Sequence, residues 1–225
     1  MRTHIKKIGN LFIPDPQYGD LKLSVMPYDR SKKTKLPVGF ELWQSVFDKI
    51  NECIPLYKNA NQHYVTIDSK YFSTAGFLRR EGVHADGNFC VDPNFGQATW
   101  GGTTTTWGGS SYHPELLVVK DWEMPYDIEF PVGDYISETK GGIFCVSSEV
   151  GCQGWEGDFY GDVGSEGDFS SMAQQLTEDK KVVFDKNALY FMTSNTPHET
   201  MWIDKGKRRT FMRITLNHEY PNRLI

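Results

Sequence analysis

Residues 208–216 read RRTFMRITL, and alternation along an extended chain divides them into two faces. One face carries Arg208, Thr210, Met212, Ile214 and Leu216, and the other carries Arg209, Phe211, Arg213 and Thr215. The apolar series Met212, Ile214, Leu216 suits a packing layer, which turns Arg209 and Arg213 toward whatever the opposite face encloses. Runs rich in Val, Ile, Thr, Tyr and Phe, punctuated by Gly and Asp, recur near 63–68, 76–84, 98–106, 115–120, 142–148, 188–193 and 199–203. So many short strands predict a mainly β fold that is closed or double-layered.

Helices are few in this reading. Residues 1–36 suggest short strands and turns. Pro37 is placed to open a helix, since its missing N–H costs nothing in a first turn. Phe40, Trp43, Phe47 and Ile50 then fall on one face at helical spacing, widened by Leu42 and Val46. The helix should reach about Cys53, stop before Pro55, and brace a sheet. A second helix is expected near 170–177. Residues 149–168, EVGCQGWEGDFYGDVGSEGD, are so rich in Gly and acids that they predict a long mobile loop, a lid at a pocket mouth.

Composition narrows the classes. With 39% apolar and 14% aromatic residues in 225, the chain can bury a core, which excludes a disordered protein. The formal charge of −5 and pI near 5.7 argue against a nucleic-acid partner. No apolar run approaches the ~20 residues of a membrane helix, and no apolar stretch follows the basic start as a signal peptide would require. Cys53, Cys90, Cys145 and Cys152 form no CxxC pair. The expectation is a cytoplasmic protein of one domain over 1–225, with 1–60 as a helix-containing support and 64–218 as the β core.

Three features that carry chemistry follow in order: Val83-His84-Ala85-Asp86-Gly87, then Thr196-Pro197-His198-Glu199, then Gly206 to Arg213. Residues i and i+2 of an extended segment point the same way, so His84 and Asp86 converge. His198 from a distant strand completes two imidazoles and one carboxylate. That set leaves open positions on a metal ion and is the donor pattern of non-haem Fe(II) oxygenases, able to take a bidentate 2-oxo acid and O2. The far carboxylate of such an acid needs a fixed cation, and arginine meets a carboxylate bidentately. Arg208, Arg209 and Arg213 compete for that role, with alternation favouring Arg209 and Arg213. His4, His63, His113 and His218 lack this company of residues.

These residues resemble the Fe(II)/2-oxoglutarate-dependent dioxygenase superfamily, whose shared fold is a double-stranded β-helix, or jelly roll. His84-Ala-Asp-Gly-Asn-Phe89 with Asp92-Pro93 is similar to the H-x-D-x-x-F segment of the taurine-dioxygenase-like branch. Leu189 to Glu199 resembles the strand, turn and distal His of prolyl-hydroxylase-like members. Gly141-Gly142-Ile143 resembles the pair of glycines that opens a middle strand. The spacing of Arg209 and Arg213 after His198 resembles the paired arginines of the first branch, whereas Gly206-Lys207-Arg208 resembles the G-x-R of the second. The resemblance spans roughly 64–218. It implies iron on His84, Asp86 and His198, 2-oxoglutarate on one of the three arginines, and hydroxylation of a small molecule, amino acid, protein side chain or nucleobase with release of succinate and CO2. The acidic 149–168 stretch points to a cationic substrate. The alternatives are a non-catalytic or sugar-binding jelly roll, and a cupin-like metal protein that uses no oxo acid.

Overall fold

The computed structural model describes residues 1–54, 56, 61–79, 81–86, 135–164 and 167–224, with the backbone alone for 135–140 and 218–224. The expected strands at 98–106 and 115–120 lie outside the described residues, as do His113, Phe89, Asp92 and Pro93. The described strands are β1 (Arg2–Thr3), β2 (Ile5–Asn10), β3 (Leu21–Asp29), β4 (Gln62–Tyr71), β5 (Tyr135–Ser147), β6 (Cys152–Trp155), β7 (Gly157–Asp158), β8 (Lys181–Val183), β9 (Ala188–Met192), β10 (His198–Thr200) and β11 (Arg208–Leu224). All pair antiparallel. Six form one sheet in the order β2-β9-β5-β11-β4-β3, three form a smaller sheet β10-β6-β8, and β1 pairs with β7. The chain is thus mainly β, and its first 29 residues supply both edges of the large sheet.

The alternation of β11 organises the layers. Met212 and Ile214 stand opposite Ile67 and Val65 of β4, and opposite Val146 and Phe144 of β5. These side chains share one buried cluster with Leu189 and Phe191 of β9 and with Val46, Phe47 and Ile50 of helix α1 (Gln44–Glu52). The other face of the same sheet presents Phe211, Ile143, Cys145, Tyr190 and Met192, packed against Phe184, Val182 and Cys152 of the smaller sheet's side. A helix, a large sheet and a small sheet therefore stack in that order, with two hydrophobic interfaces holding them.

Three elements differ from expectation, each for a local reason. The helix begins at Gln44 after a 3-10 turn over Glu41–Trp43, not at Pro37. Gly39 holds a left-handed φ of 93° that a helix cannot pass through, and the Glu41 carboxylate accepts its N–H at 2.8 Å. Segment 76–84 makes only isolated bridges at Gly76 and His84, because Gly82 at φ 89° breaks the extended path between them. Residues 170–175 are a 3-10 turn with one buried anchor, Met172.

The 149–168 stretch is not a free loop. It contains β6, paired with both β10 and β8, and β7, paired with β1. Its glycines serve close approach. A Cβ at Gly154 would lie 2.9 Å from Ile5 Cδ1, and one at Gly151 would lie 2.6 Å from Arg209 Cζ. Trp155 and Phe159 are buried with Ala85, Phe169 and Met172.

His63 on β4 offers a stability test. It is fully buried, and the Asn217 N–H donates to its Nδ1 at 3.2 Å, which requires a neutral ring. Burial, then the charge of Arg30, pushes its pKa down from 6.5 to about 4. The unfolded chain takes up this proton below about pH 6.5 and the folded chain does not. The contribution is therefore complete above pH 6.5 and shrinks as pH falls toward 4, by about 3 kcal/mol in all. Urea denaturation at pH 7 and 4.5 should show this loss, and His63→Gln should flatten it; an unchanged slope in the variant would show that another group carries the dependence.

Candidate metal centre

His84 and His198 are joined through their backbones. The His84 N–H donates to the His198 carbonyl at 3.0 Å, and the His198 N–H donates back to the His84 carbonyl at 2.8 Å. This reciprocal pair places the two side chains on one side, with ring centroids 4.6 Å apart. The following residue is fixed as well. The Ala85 N–H donates to the Gly167 carbonyl at 2.9 Å, and a Cβ on Gly167 would sit 1.9 Å from the Ala85 carbonyl oxygen. Only glycine allows that contact. Asp86 then falls beside the two imidazoles, with Oδ2 at 3.6 Å from His198 Nε2. The ligating atoms of His84, Asp86 and His198 all lie within 4.8 Å of one another.

The tautomers are set by the backbone. His198 Nδ1 is 2.9 Å from the Thr196 carbonyl, and His84 Nδ1 is 2.9 Å from the Gly82 carbonyl. A carbonyl oxygen only accepts, so each Nδ1 carries the proton and each Nε2 carries the lone pair. Outer hydrogen bonds of this kind orient metal-binding histidines. Burial lowers the pKa of His198, the largest effect on it, so the ring is neutral at pH 7. For Asp86, burial would raise the pKa, but the positive charge beside it, Arg213 foremost, outweighs burial and holds the carboxyl well below the usual range. A neutral imidazole at His198 and an ionised carboxylate at Asp86 are protonation states that a divalent cation requires. The residues present fit a metal ion.

The three competing arginines separate by face. Arg208 points away from the centre: its Nη1 donates to the Gly19 carbonyl at 2.6 Å and lies 3.4 Å from Asp20. Arg213, 5% exposed, donates to Asp86 Oδ2. Arg209 is fully buried. It donates from Nε to Ser147 Oγ at 2.8 Å, from Nη2 to Cys152 Sγ at 3.0 Å, and from Nη1 to Thr200 Oγ1 at 3.4 Å. None of the three partners is a carboxylate, and among the described residues its charge meets none at ion-pair distance.

Two inner-face residues gave no signal in the sequence. Asp68, 8% exposed on β4, stands opposite Phe211, and burial raises its pKa. Arg79 lies with its guanidinium 5.7 Å from the Phe211 ring, which also has Arg209 at 5.3 Å. Arg79 sits on the irregular 76–84 segment, where no alternation predicts direction; its only cue was position, five residues ahead of His84.

No family model, curated protein or solved structure matches the chain. Fold and site together define a mainly β protein of antiparallel sheets with a candidate His-Asp-His metal centre. Among the described residues no helix is long and apolar enough to cross a membrane.

Alanine at His84, Asp86 or His198 should weaken binding of Fe(II) or Mn(II) by well over the ~10–100-fold typical of losing an outer-shell partner. Calorimetric titration reads this, with circular dichroism confirming the fold. Wild-type affinity should also fall as pH drops below about 6, where protons compete for the imidazoles. Tight, pH-independent binding in all three variants would place the ion elsewhere.

Proposed function

We propose that the chain is a double-stranded β-helix oxygenase that uses Fe(II) and 2-oxoglutarate to hydroxylate a substrate C–H bond. The observation that carries this reading is Arg209, a fully buried guanidinium with no carboxylate at ion-pair distance among the described residues, on the strand face that also turns Arg213 toward Asp86. An uncompensated buried charge is costly, so the position makes physical sense when an anion completes it. The anion is within reach of the metal ligands. Arg209 touches Thr200, which lies two residues beyond His198 on β10, about 7 Å along an extended strand. A five-carbon diacid would bridge such a span, its oxo-acid end toward an ion on His84, Asp86 and His198 and its far carboxylate on Arg209. A metal centre without an oxo acid gives Arg209 no such partner.

Bound Fe(II) supplies the oxidising chemistry: one oxygen atom of O2 enters the substrate C–H as hydroxyl, the other enters succinate, and 2-oxoglutarate loses CO2. The protein does the rest. His84 and His198 present Nε2 lone pairs held by their backbone hydrogen bonds. Arg213 orients Asp86 and offsets its charge. Ser147 and Thr200 fix the Arg209 fork before the diacid arrives, which is preorganisation of the kind that makes electrostatic binding effective. Phe211 lies against the Arg209 guanidinium and belongs to a buried apolar cluster with Tyr190 and Met192, which limits water on that side.

The test is Fe(II)-dependent release of succinate from 2-oxoglutarate. Arg209→Ala strands a carboxylate and should raise the 2-oxoglutarate requirement on the order of a hundredfold, from a cost of ~3–5 kcal/mol. Gly151→Ala should act in the same direction, since its Cβ would meet the Arg209 guanidinium. Arg208→Ala should change little. Succinate release unaffected by Arg209→Ala, or none from the wild type with Fe(II) bound, would contradict the proposal.

A further inference from the structure

We propose that Arg79 is the recognition residue for the primary substrate, and that this substrate carries an oxyanion group such as a carboxylate or phosphate ester. The inference rests on the reading of the site as an Fe(II)/2-oxoglutarate centre and extends it to substrate class. The backbone of Arg79 lies between two anchored points, the Gly76–Ile203 bridge and the His84–His198 bridge, and its neighbour Leu78 packs into the cluster between the sheets. Its guanidinium approaches the ring of Phe211, the inner-face residue between Arg209 and Arg213 on β11. Burial, then the neighbouring Arg213, pushes its pKa down to about 10, so it stays charged at neutral pH.

Charge matching at the centre leaves positive charge over. A divalent ion, dianionic 2-oxoglutarate, Asp86 and Arg213 sum to zero, so Arg209 and Arg79 remain in excess. Arg209 faces the far carboxylate of the oxo acid, and Arg79 is the cation left toward the substrate. Arg79 makes no hydrogen bond or ion pair with any described residue. Asp86 and Asp68 act on it only through space: Asp86 is committed to the ion and Arg213, and burial opposes the ionisation of Asp68 although Arg79 favours it. A guanidinium held in this setting discriminates strongly for a bidentate oxyanion and against a cation.

Three acids of the 149–168 stretch are engaged elsewhere. Glu149 lies 3.4 Å from Lys207, Glu156 accepts the Ile5 N–H and lies 3.6 Å from His4, and Asp168 accepts the Ser170 hydroxyl at 2.6 Å. These three serve local structure, and the excess of positive charge at the centre favours an anionic substrate over the cationic one that the composition of the stretch suggests.

The experiment titrates propionate and, separately, n-propylammonium into full-length protein loaded with Mn(II) and saturated with 2-oxoglutarate. Wild type should bind propionate and not the amine. Arg79→Gln should lose about tenfold or more of the propionate affinity, with Mn(II) and 2-oxoglutarate affinities unchanged, and Arg79→Lys should recover part of it. Equal propionate binding in wild type and Arg79→Gln, as direct coordination to the ion would give, overturns the proposal. Preference of the wild type for the amine overturns it without any variant, which covers the case of Arg79→Gln failing to fold. If 2-oxoglutarate itself does not bind, the proposed function fails. The same titration in Arg209→Gln and in the Arg209→Gln/Arg79→Gln pair then still reads Arg79 alone: loss in the second supports an oxyanion site there, and no loss overturns it.

Discussion

Strand β11 cannot slip by one residue without exchanging a buried apolar row for two buried arginines. Met212, Ile214 and Leu216 lie in the core against α1, while Arg209 and Arg213 occupy the space between the sheets. Side chains on a strand alternate with a period of two, so register here is enforced from both sides at once. The pairing of β11 with β4 and β5 transmits this choice across the large sheet. It sets which residues of β5 and β9 meet the small sheet and which meet the helix.

The small sheet is then fitted to the arginine face by absence of side chains. Gly151 clears the Arg209 guanidinium, Gly154 clears Ile5, and Gly167 clears the Ala85 carbonyl. These contacts bring β6 and β10 near enough for Thr200 and Cys152 to hold Arg209, and they seat the segment that carries His84 and Asp86. Rigidity at the candidate centre comes from backbone: two reciprocal hydrogen bonds between His84 and His198, and two carbonyls that fix the ring tautomers. A site built on such bonds keeps its geometry whether or not an ion is present, which is what a preorganised donor set requires.

Much of this was legible in the sequence because it obeys a local period. The alternation of 208–216 identified the two faces, and the i, i+2 spacing of His84 and Asp86 anticipated their convergence. What was not legible depends on neighbours distant in the chain. Glycine signals freedom or close approach equally well, so the Gly-rich 149–168 stretch looked like a loop although two strands run through it. Gly39 overrode the helix start expected at Pro37 for the same reason: a left-handed φ leaves no mark on the apolar periodicity. Arg79 and Asp68 were silent because an inward charge on an irregular segment, or on a strand of mixed pattern, has no sequence signature until its surroundings are assembled.

The central claim is that one chain holds one iron ion and one 2-oxo acid together, the ion on His84, Asp86 and His198 and the acid between ion and Arg209. Anaerobic titration of the Fe(II)-loaded protein with 2-oxoglutarate measures this directly, because a 2-oxo acid chelating Fe(II) produces a visible charge-transfer absorption that neither component has alone. The account predicts a band that saturates at one 2-oxoglutarate per chain and is absent from His198→Ala. Stoichiometric Fe(II) binding with no such band at saturating 2-oxoglutarate would contradict it.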